Sequence, residues 1–444
     1  MSTFLTKMLS MMLVLILISV ALIGCGSSNS SSAGNTTTAP AKAASTTAPA
    51  DDSSAAKVTV TFWNGFTGPD RPAYEALVKQ FNNTNKKAEV KMEIMPWDSM
   101  YQKLTTALAT GQGPDTFAAA TERIGTYAKP GAIVPIDDLY SSGLDATVIP
   151  KGLMDNLKYD GKTYGAPMNL ATLLLYYNKD LFKNAGLDPE KAPTNWAELQ
   201  DYAIKLTKES GGKVDQYGFG IATKETIPMW PILVWANGGD FIDRATNKSV
   251  INSPKTVEAV QIWSDLIKTK HISPPVLTGA EVDKLFQSQK LGMYMVGPWA
   301  VGGFKEAGIN FGVAPVPAGP AKAVTLGTSV AAYLTKDSKN KEGVYEFFKF
   351  WNSKDSQISL SLGSGFPPTR TDIADDAKLK ENPYVAAFAS VSPTSQFYLQ
   401  QLTNFGQIDT DVIVPAMESI LLGKASAKDA LDKAAVEMDK LLAK

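Results

Sequence analysis

Apolar and polar positions alternate from Val58 onward, with Val58, Val60 and Phe62 on one face and Thr59, Thr61 and Trp63 on the other. This period of two predicts a strand. Pro72 then opens a helix in which Tyr74, Leu77, Val78 and Phe81 share a face, and alternation returns in Val90, Met92 and Ile94. Strand, helix, strand predicts a parallel pair joined by a crossover. A helix bearing Tyr101, Leu104 and Leu108 leads into the turn Gly111-Gln112-Gly113-Pro114-Asp115 and a short strand of small residues, Thr116 to Ala120.

The unbroken apolar run Leu173 to Tyr177 is too short for an isolated helix and suits a strand covered on both faces. Asn178 and Asp180 offer oxygens to the first turn of a following helix, Leu181 and Phe182 form its buried side, and Gly186 supplies the positive φ that ends it. A second helix starts at Asn195, with Glu198 placed to reach back to the Asn195 N–H and Trp196 and Leu199 on its apolar face. Later, Ser253-Pro254 reads as the cap and first residue of a helix carrying Ala259, Ile262 and Leu266. Leu291 to Val296 reads as a strand, Val344, Phe347, Phe348 and Trp351 as one helical stripe, and Asp429 to Leu442 as a closing helix.

The two ends of this pattern differ. Lys7 precedes a nearly continuous apolar stretch from Met8 to Ala21, which ends in Leu22-Ile23-Gly24-Cys25. That is the plan of an export signal, residues 1–24. Residues 26 to 56 are Ser, Thr, Ala, Gly and Pro with few large apolar side chains, too little to offset chain entropy. With Cys25 they form a tether, 25–56, whose mean reach is ~30 Å. Cys25 is the only cysteine, so no internal disulfide is expected.

Composition narrows the chemistry. With 43 basic against 44 acidic residues there is no excess to displace counterions from phosphates, so no nucleic-acid partner is expected. The single histidine, His271, lies just past a helix and reads as a surface turn residue, which leaves triad chemistry without its base. Neither Asp137-Asp138 nor Asp375-Asp376 has the Gly and Glu spacing of a calcium loop, and no metal or other cofactor is implied. Two carboxylates for glycoside hydrolysis can always be found among 44 acids, so a secreted carbohydrate-active enzyme stays open as an alternative.

The order Tyr177-Asn178-Lys179-Asp180-Leu181-Phe182 followed by Pro193-Thr194-Asn195-Trp196-Ala197-Glu198-Leu199 resembles the extracellular solute-binding proteins of ABC importers, specifically the maltodextrin-binding branch. The Gly111 to Asp115 turn, the aromatic segment Trp230 to Asp240 with its Gly238-Gly239 turn, Gly297-Pro298-Trp299, and the loop Gly363 to Pro368 agree in content and order. The resemblance implies an α/β fold of two discontinuous lobes joined by a multi-strand hinge: 57–169 with 327–367, and 170–326 with 368–444. It implies a monomeric binder that captures a carbohydrate by hinge closure and presents it to permease transmembrane subunits. The ending at Cys25 resembles a lipobox, which implies lipid on Cys25 and attachment to the outer face of the cell membrane by that anchor alone.

In an open α/β sheet ligands bind beyond the carboxyl ends of the strands, where loops converge. That rule selects the loop Asn64 to Arg71, with Asp70, the segment Thr121-Glu122-Arg123, and Trp299. A sugar offers a C–H face to a flat ring and a rim of hydroxyls to carboxylates, amides and Arg. Trp299, Glu122-Arg123 and Glu225 match ligand-contacting positions of the maltodextrin binders, and Trp230 an aromatic one. Asn169 near the hinge, Trp235, and Phe366 in the Gly363 to Pro368 loop complete the candidate set. Two departures stand out: Ala119 replaces a family tryptophan and Ala171 an acidic hinge contact, so the pocket is not expected to fit maltodextrin. A glycerol-phosphodiester remains an alternative ligand, but Arg71 and Arg123 are few cations for an anion.

Overall fold

The computed structural model describes residues 56–224 and 228–443. Cys25 and the residues of the signal and tether lie outside that range, as does Glu225. Among the described residues no helix is long and apolar enough to cross a membrane.

In chain order the strands of the two main sheets are β1 (Val58–Asn64), β2 (Ala88–Ile94), β3 (Thr116–Ala120), β4 (Gly165–Thr172), β5 (Leu174–Asn178), β6 (Lys208–Ser210), β7 (Lys213–Gly220), β8 (Leu291–Val296), β9 (Phe311–Ala314), β10 (Thr325–Leu334) and β11 (Ser395–Phe397). The first sheet runs β11-β10-β3-β1-β2, with β4 also on β10, and the second runs β9-β5-β8-β7-β6. Each sheet is the centre of one lobe. β1 pairs β2 in parallel, as the crossover pattern requires, with Val60 opposite Val90.

Local chemistry explains the elements that carry the site. All of β5 is buried, and the Asn178 side chain that follows it accepts N–H bonds from Asp180 and Leu181, each 3.0 Å. Gly186 has φ 75°, as its place after that helix demands. At the next helix Asn195 does cap, accepting from Glu198 N at 3.1 Å. Glu198 does not return to the Asn195 N–H; it takes the Thr194 N–H at 2.8 Å and the Thr194 hydroxyl at 2.9 Å. The Asp of the Gly-Pro-Asp turn is structural: Asp115 accepts from Thr61 N at 2.9 Å, Ser338 Oγ at 2.7 Å and Asn340 Nδ2 at 3.2 Å, locking β1, β3 and the chain beyond β10 together.

The chain crosses from the first sheet to the second through Leu173 alone, between β4 and β5. β10 lies antiparallel to β4 beside this crossing: Leu173 N donates to Leu326 O at 3.1 Å and Thr325 Oγ1 to Leu173 O at 2.7 Å. A bulge interrupts the β4–β10 register, because Asn169 faces Val330 while Pro167 faces Ala331, leaving Met168 extra. The side chain of Asn169 accepts the Val330 N–H at 3.1 Å, and Trp351 Nε1 donates to Met168 O at 3.0 Å. β11 is a strand that the sequence pattern does not announce; it pairs in parallel with the start of β10, Thr325 opposite Ser395.

Candidate functional site

The loops at the carboxyl ends of β1, β3 and β8 are brought toward one another, and the structure joins them with a band of aromatic rings. Trp299 stands 6.2 Å from Phe366, which stands 6.5 Å from Tyr74. Tyr74 stacks on Phe66 at 3.9 Å and 2°, and Phe66 meets Trp97 edge-on at 5.5 Å. Trp97 leads to Tyr101 at 5.6 Å, and the Arg123 guanidinium lies over Tyr101 at 4.0 Å and over Phe405 at 4.9 Å. Offset and edge-on contacts at these separations are favourable and hold each ring in place. Two glycines permit the band: a Cβ on Gly65 would enter the Trp97 indole, and one on Gly297 the Trp299 indole.

Charge concentrates at one end of the band. Glu122 is 6% exposed and its Oε2 has no hydrogen-bond partner among the described residues. Burial pushes its carboxyl up to about 7; its own backbone N–H and the neighbouring Arg123 hold it down, and Asp409 adds to the rise. Asp409 sits on the π-helical segment Gln407–Ile413, of a kind often found at functional sites. Tyr398 Oη donates to its Oδ1 at 3.0 Å, and burial raises it to about 6. The hydroxyls of Thr121 and Ser329, 2.7 Å apart, tie the Glu122 loop to β10.

At the other end, Asp70 is 7% exposed and caps the helix Arg71–Thr84 without a side-chain cap bond. Burial carries its carboxyl to about 7, against the pull of its backbone N–H and the Tyr74 hydroxyl, and Asp283 of the second lobe pushes the same way as burial. Asn169, 5% exposed, donates from Nδ2 to Tyr74 Oη at 2.8 Å.

The predicted residues therefore divide. Trp299 and Phe366 lie on the band, Arg123 stacks on it, Asn169 bonds to Tyr74, Asp70 acts electrostatically with Tyr74, and Glu122 sits beside Arg123 in the chain. Trp230, 2% exposed, packs in the second lobe's core with Nε1 3.4 Å from Thr223 Oγ1, whereas Trp235, whose Nε1 donates to Asp240 Oδ1 at 3.0 Å, continues the rings from Phe405 through Tyr398 and Phe241 at 6.2, 5.1 and 6.4 Å. The helix Trp230–Ala236 is apolar on every side and so is buried on every side. Trp235 borders a cavity of about 280 Å³ with Asp240, Phe241, Arg244 and Tyr398, next to the Arg123 end of the band. Trp63 also packs in the first lobe's core, with Lys103 Nζ 3.9 Å from its ring centre. His271 is exposed, ends its helix with φ 49° and pairs through Nδ1 with Glu209 at 2.6 Å, a surface turn residue as expected. The candidate set from sequence did not name Trp97, Phe405, Asp283 or Asp409, and held Phe66 only as part of the Asn64 to Arg71 loop; Trp97 comes three residues after the end of β2, a carboxyl-end position that the loop rule could have flagged.

The sequence model of the bacterial extracellular solute-binding protein family matches residues 67–358. The chain belongs to that family. This solute-binding protein is 31% identical over 400 residues to a protein of Brucella abortus (strain 2308) named only as a binding protein, covering 88% of this chain and 94% of the relative. It is 28% identical over 404 residues to the sn-glycerol-3-phosphate-binding periplasmic protein of Brucella melitensis, covering 85% and 92%. Its fold is similar to a solute-binding protein of an ABC transporter from Thermotoga lettingae TMO, solved with α-D-tagatose: TM-score 0.79, 25% identity, 87% of this chain and 100% of that one. The two-lobed α/β expectation holds, and the protein is an extracytoplasmic solute binder of the ABC-importer type.

Proposed function

We propose that this solute-binding protein captures a carbohydrate between its lobes and hands it to an ABC permease, without turning it over. The observation that carries the reading is Glu122 Oε2, without a hydrogen-bond partner among the described residues, next to Arg123 at the end of an aromatic band. Rings that take a C–H face, next to an acceptor and a donor that take hydroxyls, are the complement of a sugar. Hinge closure then follows from differential affinity: a ligand touching both lobes stabilises the closed state more than the open one.

The Brucella glycerol-phosphate binder motivates a second reading, in which the ligand is an anionic phosphate ester. The electrostatics speak against it. Asp70, Glu122, Asp283 and Asp409 all have carboxyls raised above their ordinary range, and the Arg123 guanidinium is the cation stacked in the band. An incoming phosphate would raise the cost of ionising them further.

A thermal-shift screen of mono- and oligosaccharides against sn-glycerol 3-phosphate, followed by calorimetry, separates the readings. A saccharide at 100 times its Kd adds about 2.7 kcal/mol of stability. Stabilisation by the phosphate ester alone would overturn the carbohydrate assignment, and release of shorter sugars from an oligosaccharide would overturn the non-enzyme one. The anchor belongs to the same proposal: Cys25 carries lipid, residues 25–56 tether the lobes, and Cys25→Ser should abolish labelling by a fatty-acid probe without unfolding the protein.

A further inference from the structure

The run of rings does not stop at Arg123. Phe405, on which the guanidinium rests, stands 6.2 Å from Tyr398, Tyr398 stands 5.1 Å from Phe241, and Phe241 stands 6.4 Å from Trp235. Successive ring planes cross at 81° to 82°, so the run offers both faces and edges to the space beside it. Tyr398, Phe241 and Trp235 line the cavity of about 280 Å³, and Phe397 of β11 adds a fourth ring to its wall. A cavity of ~150 Å³ takes benzene, so by proportion this one has room for roughly eleven non-hydrogen atoms, the content of one hexosyl unit.

The polar groups of the cavity are fixed by bonds that leave capacity over. Asp240 Oδ1 accepts from Trp235 Nε1 at 3.0 Å and from Phe241 N at 2.8 Å, which orients the carboxylate and leaves Oδ2 without a hydrogen bond among the described residues. Arg244 Nη1 donates to Gln400 O at 3.0 Å, while its Nε and Nη2 have no acceptor among the described residues. An acceptor and a donor thus share one small space with four rings. A sugar unit, with its C–H face and its rim of hydroxyls, asks for that combination.

One wall is held in a costly conformation. Leu399 and Gln401 adopt left-handed backbone, φ 45° and 59°, which side chains larger than glycine's disfavour. Strain of this kind persists where the surroundings over-determine it. Here both lobes do so: Arg244 of the second holds Gln400 O, and Gln400 Nε2 donates to Asn156 Oδ1 of the first at 2.6 Å. Leu399, which lines the cavity, is therefore set in place before any ligand arrives.

We propose that this cavity is a subsite for the end unit of an oligosaccharide whose preceding unit lies at Arg123 and Glu122, so that the ligand is a disaccharide or longer and Asp240 and Arg244 select its terminal hexose. The inference rests on the carbohydrate reading and adds to it a length and an end. A monosaccharide fills one of the two places. A longer chain fills both, and its second contact comes without a second loss of translational freedom. The cavity suits a neutral unit, because a phosphate there would meet Asp240 Oδ2 as well as the guanidinium.

Calorimetry on the full chain in detergent tests this with glucose, mannose and galactose, the α- and β-linked disaccharides of each, and sn-glycerol 3-phosphate. For the sugar that binds, the disaccharide should bind roughly tenfold or more tighter than its monosaccharide, as added charge-assisted hydrogen bonds supply. Two variants act on the cavity. Arg244→Met keeps the stem and removes the donors, and Gln396→Trp fills the space from an exposed position that lines it. Each should bring the ratio of affinities to within about threefold of unity while circular dichroism stays as in wild type. Arg123→Lys should weaken mono- and disaccharide alike and leave the ratio standing, which separates the two places. Saccharide binding without a length preference, or a preference that survives in both cavity variants, would overturn the subsite and leave the carbohydrate reading intact. Binding of sn-glycerol 3-phosphate alone, or of nothing in the panel, would overturn both.

Discussion

The Arg123 guanidinium carbon lies 4.9 Å from the centre of the Phe405 ring, so a cation from the loop after β3 rests on an aromatic supplied near the far end of the chain. The Tyr101 ring centre lies 4.0 Å from the same carbon. Stacking fixes the plane of the fork while its edges stay free to donate, which an ammonium on a flexible stem cannot imitate. Arg123→Lys should therefore weaken saccharide binding by about three- to thirtyfold, corresponding to the ~0.5–2 kcal/mol of such contacts. Titration calorimetry giving the wild-type Kd would show that the guanidinium plane plays no part.

Glu122 predicts a trade between stability and binding. Its carboxyl is raised from 4.5 to about 7 by burial, so the folded chain holds a proton that the unfolded chain releases. Stability should fall as pH rises from 4.5 to about 7 and remain lower above, at a cost on the order of 3 kcal/mol for the ionised form. Glu122→Gln removes that cost. The variant should melt higher than wild type at pH 8, equal it at pH 5, and bind sugar more weakly at both. Equal melting curves at pH 8 would mean the carboxylate is not desolvated.

Much of this architecture is legible in the sequence, and the losses have identifiable causes. Period-two alternation and the run at Leu173 to Tyr177 located β1, β2 and β5, and the Asn178 and Asn195 caps could be read from residue type and spacing. β11 was invisible because three residues beside Ser392-Pro393 carry no period. The same helical stripe that announces a core also holds Tyr74 and Tyr101 on the band, so periodicity cannot separate a ring facing the core from one facing the site. Burial does not sort the candidate aromatics: Trp230 and Trp235 lie in a segment apolar all round, the mark of a buried helix, yet Phe366 on the band is as enclosed as Trp235. Asp283 and Asp409 are ordinary acids in sequence, and only the fold buries them.

The two tryptophan classes should separate cleanly by mutation. Trp299 is half-buried at the end of the band, whereas Trp230 is enclosed in the core. Trp299→Ala should cost ~2 kcal/mol or more of binding, roughly thirtyfold, with a small change in melting temperature. Trp230→Ala should instead cost about 3–5 kcal/mol of folding stability. If Trp299→Ala melts as early as Trp230→Ala and binds sugar normally, Trp299 is a packing residue and the band ends at Phe366.

Gly303 sets a limit on closure that can be tested without touching a polar group. Two effects of Gly303→Ala compete. Alanine is intrinsically better than glycine within a helix by about 1 kcal/mol, which favours the folded protein in any lobe arrangement. In the lobe arrangement seen here the new methyl, on the second-lobe helix Ala300–Glu306, would meet Pro69 at 2.7 Å from Cγ and 2.8 Å from Cβ, a rigid ring rather than a movable chain end. The loop behind Pro69 is itself braced, with Thr67 N donating to Gly65 O at 2.7 Å and Arg71 N to Gly68 O at 3.0 Å, so it yields little. Overpacking of this kind costs about 1–3 kcal/mol, and it falls on any arrangement in which the lobes touch as they do here, as a closed, ligand-bound state would. The ligand-free variant should thus melt no earlier than wild type, bind saccharide about five- to hundredfold more weakly, and show a smaller contraction by small-angle scattering when saturated. Wild-type affinity together with full contraction would mean that Pro69 and Gly303 separate in the ligand-bound state.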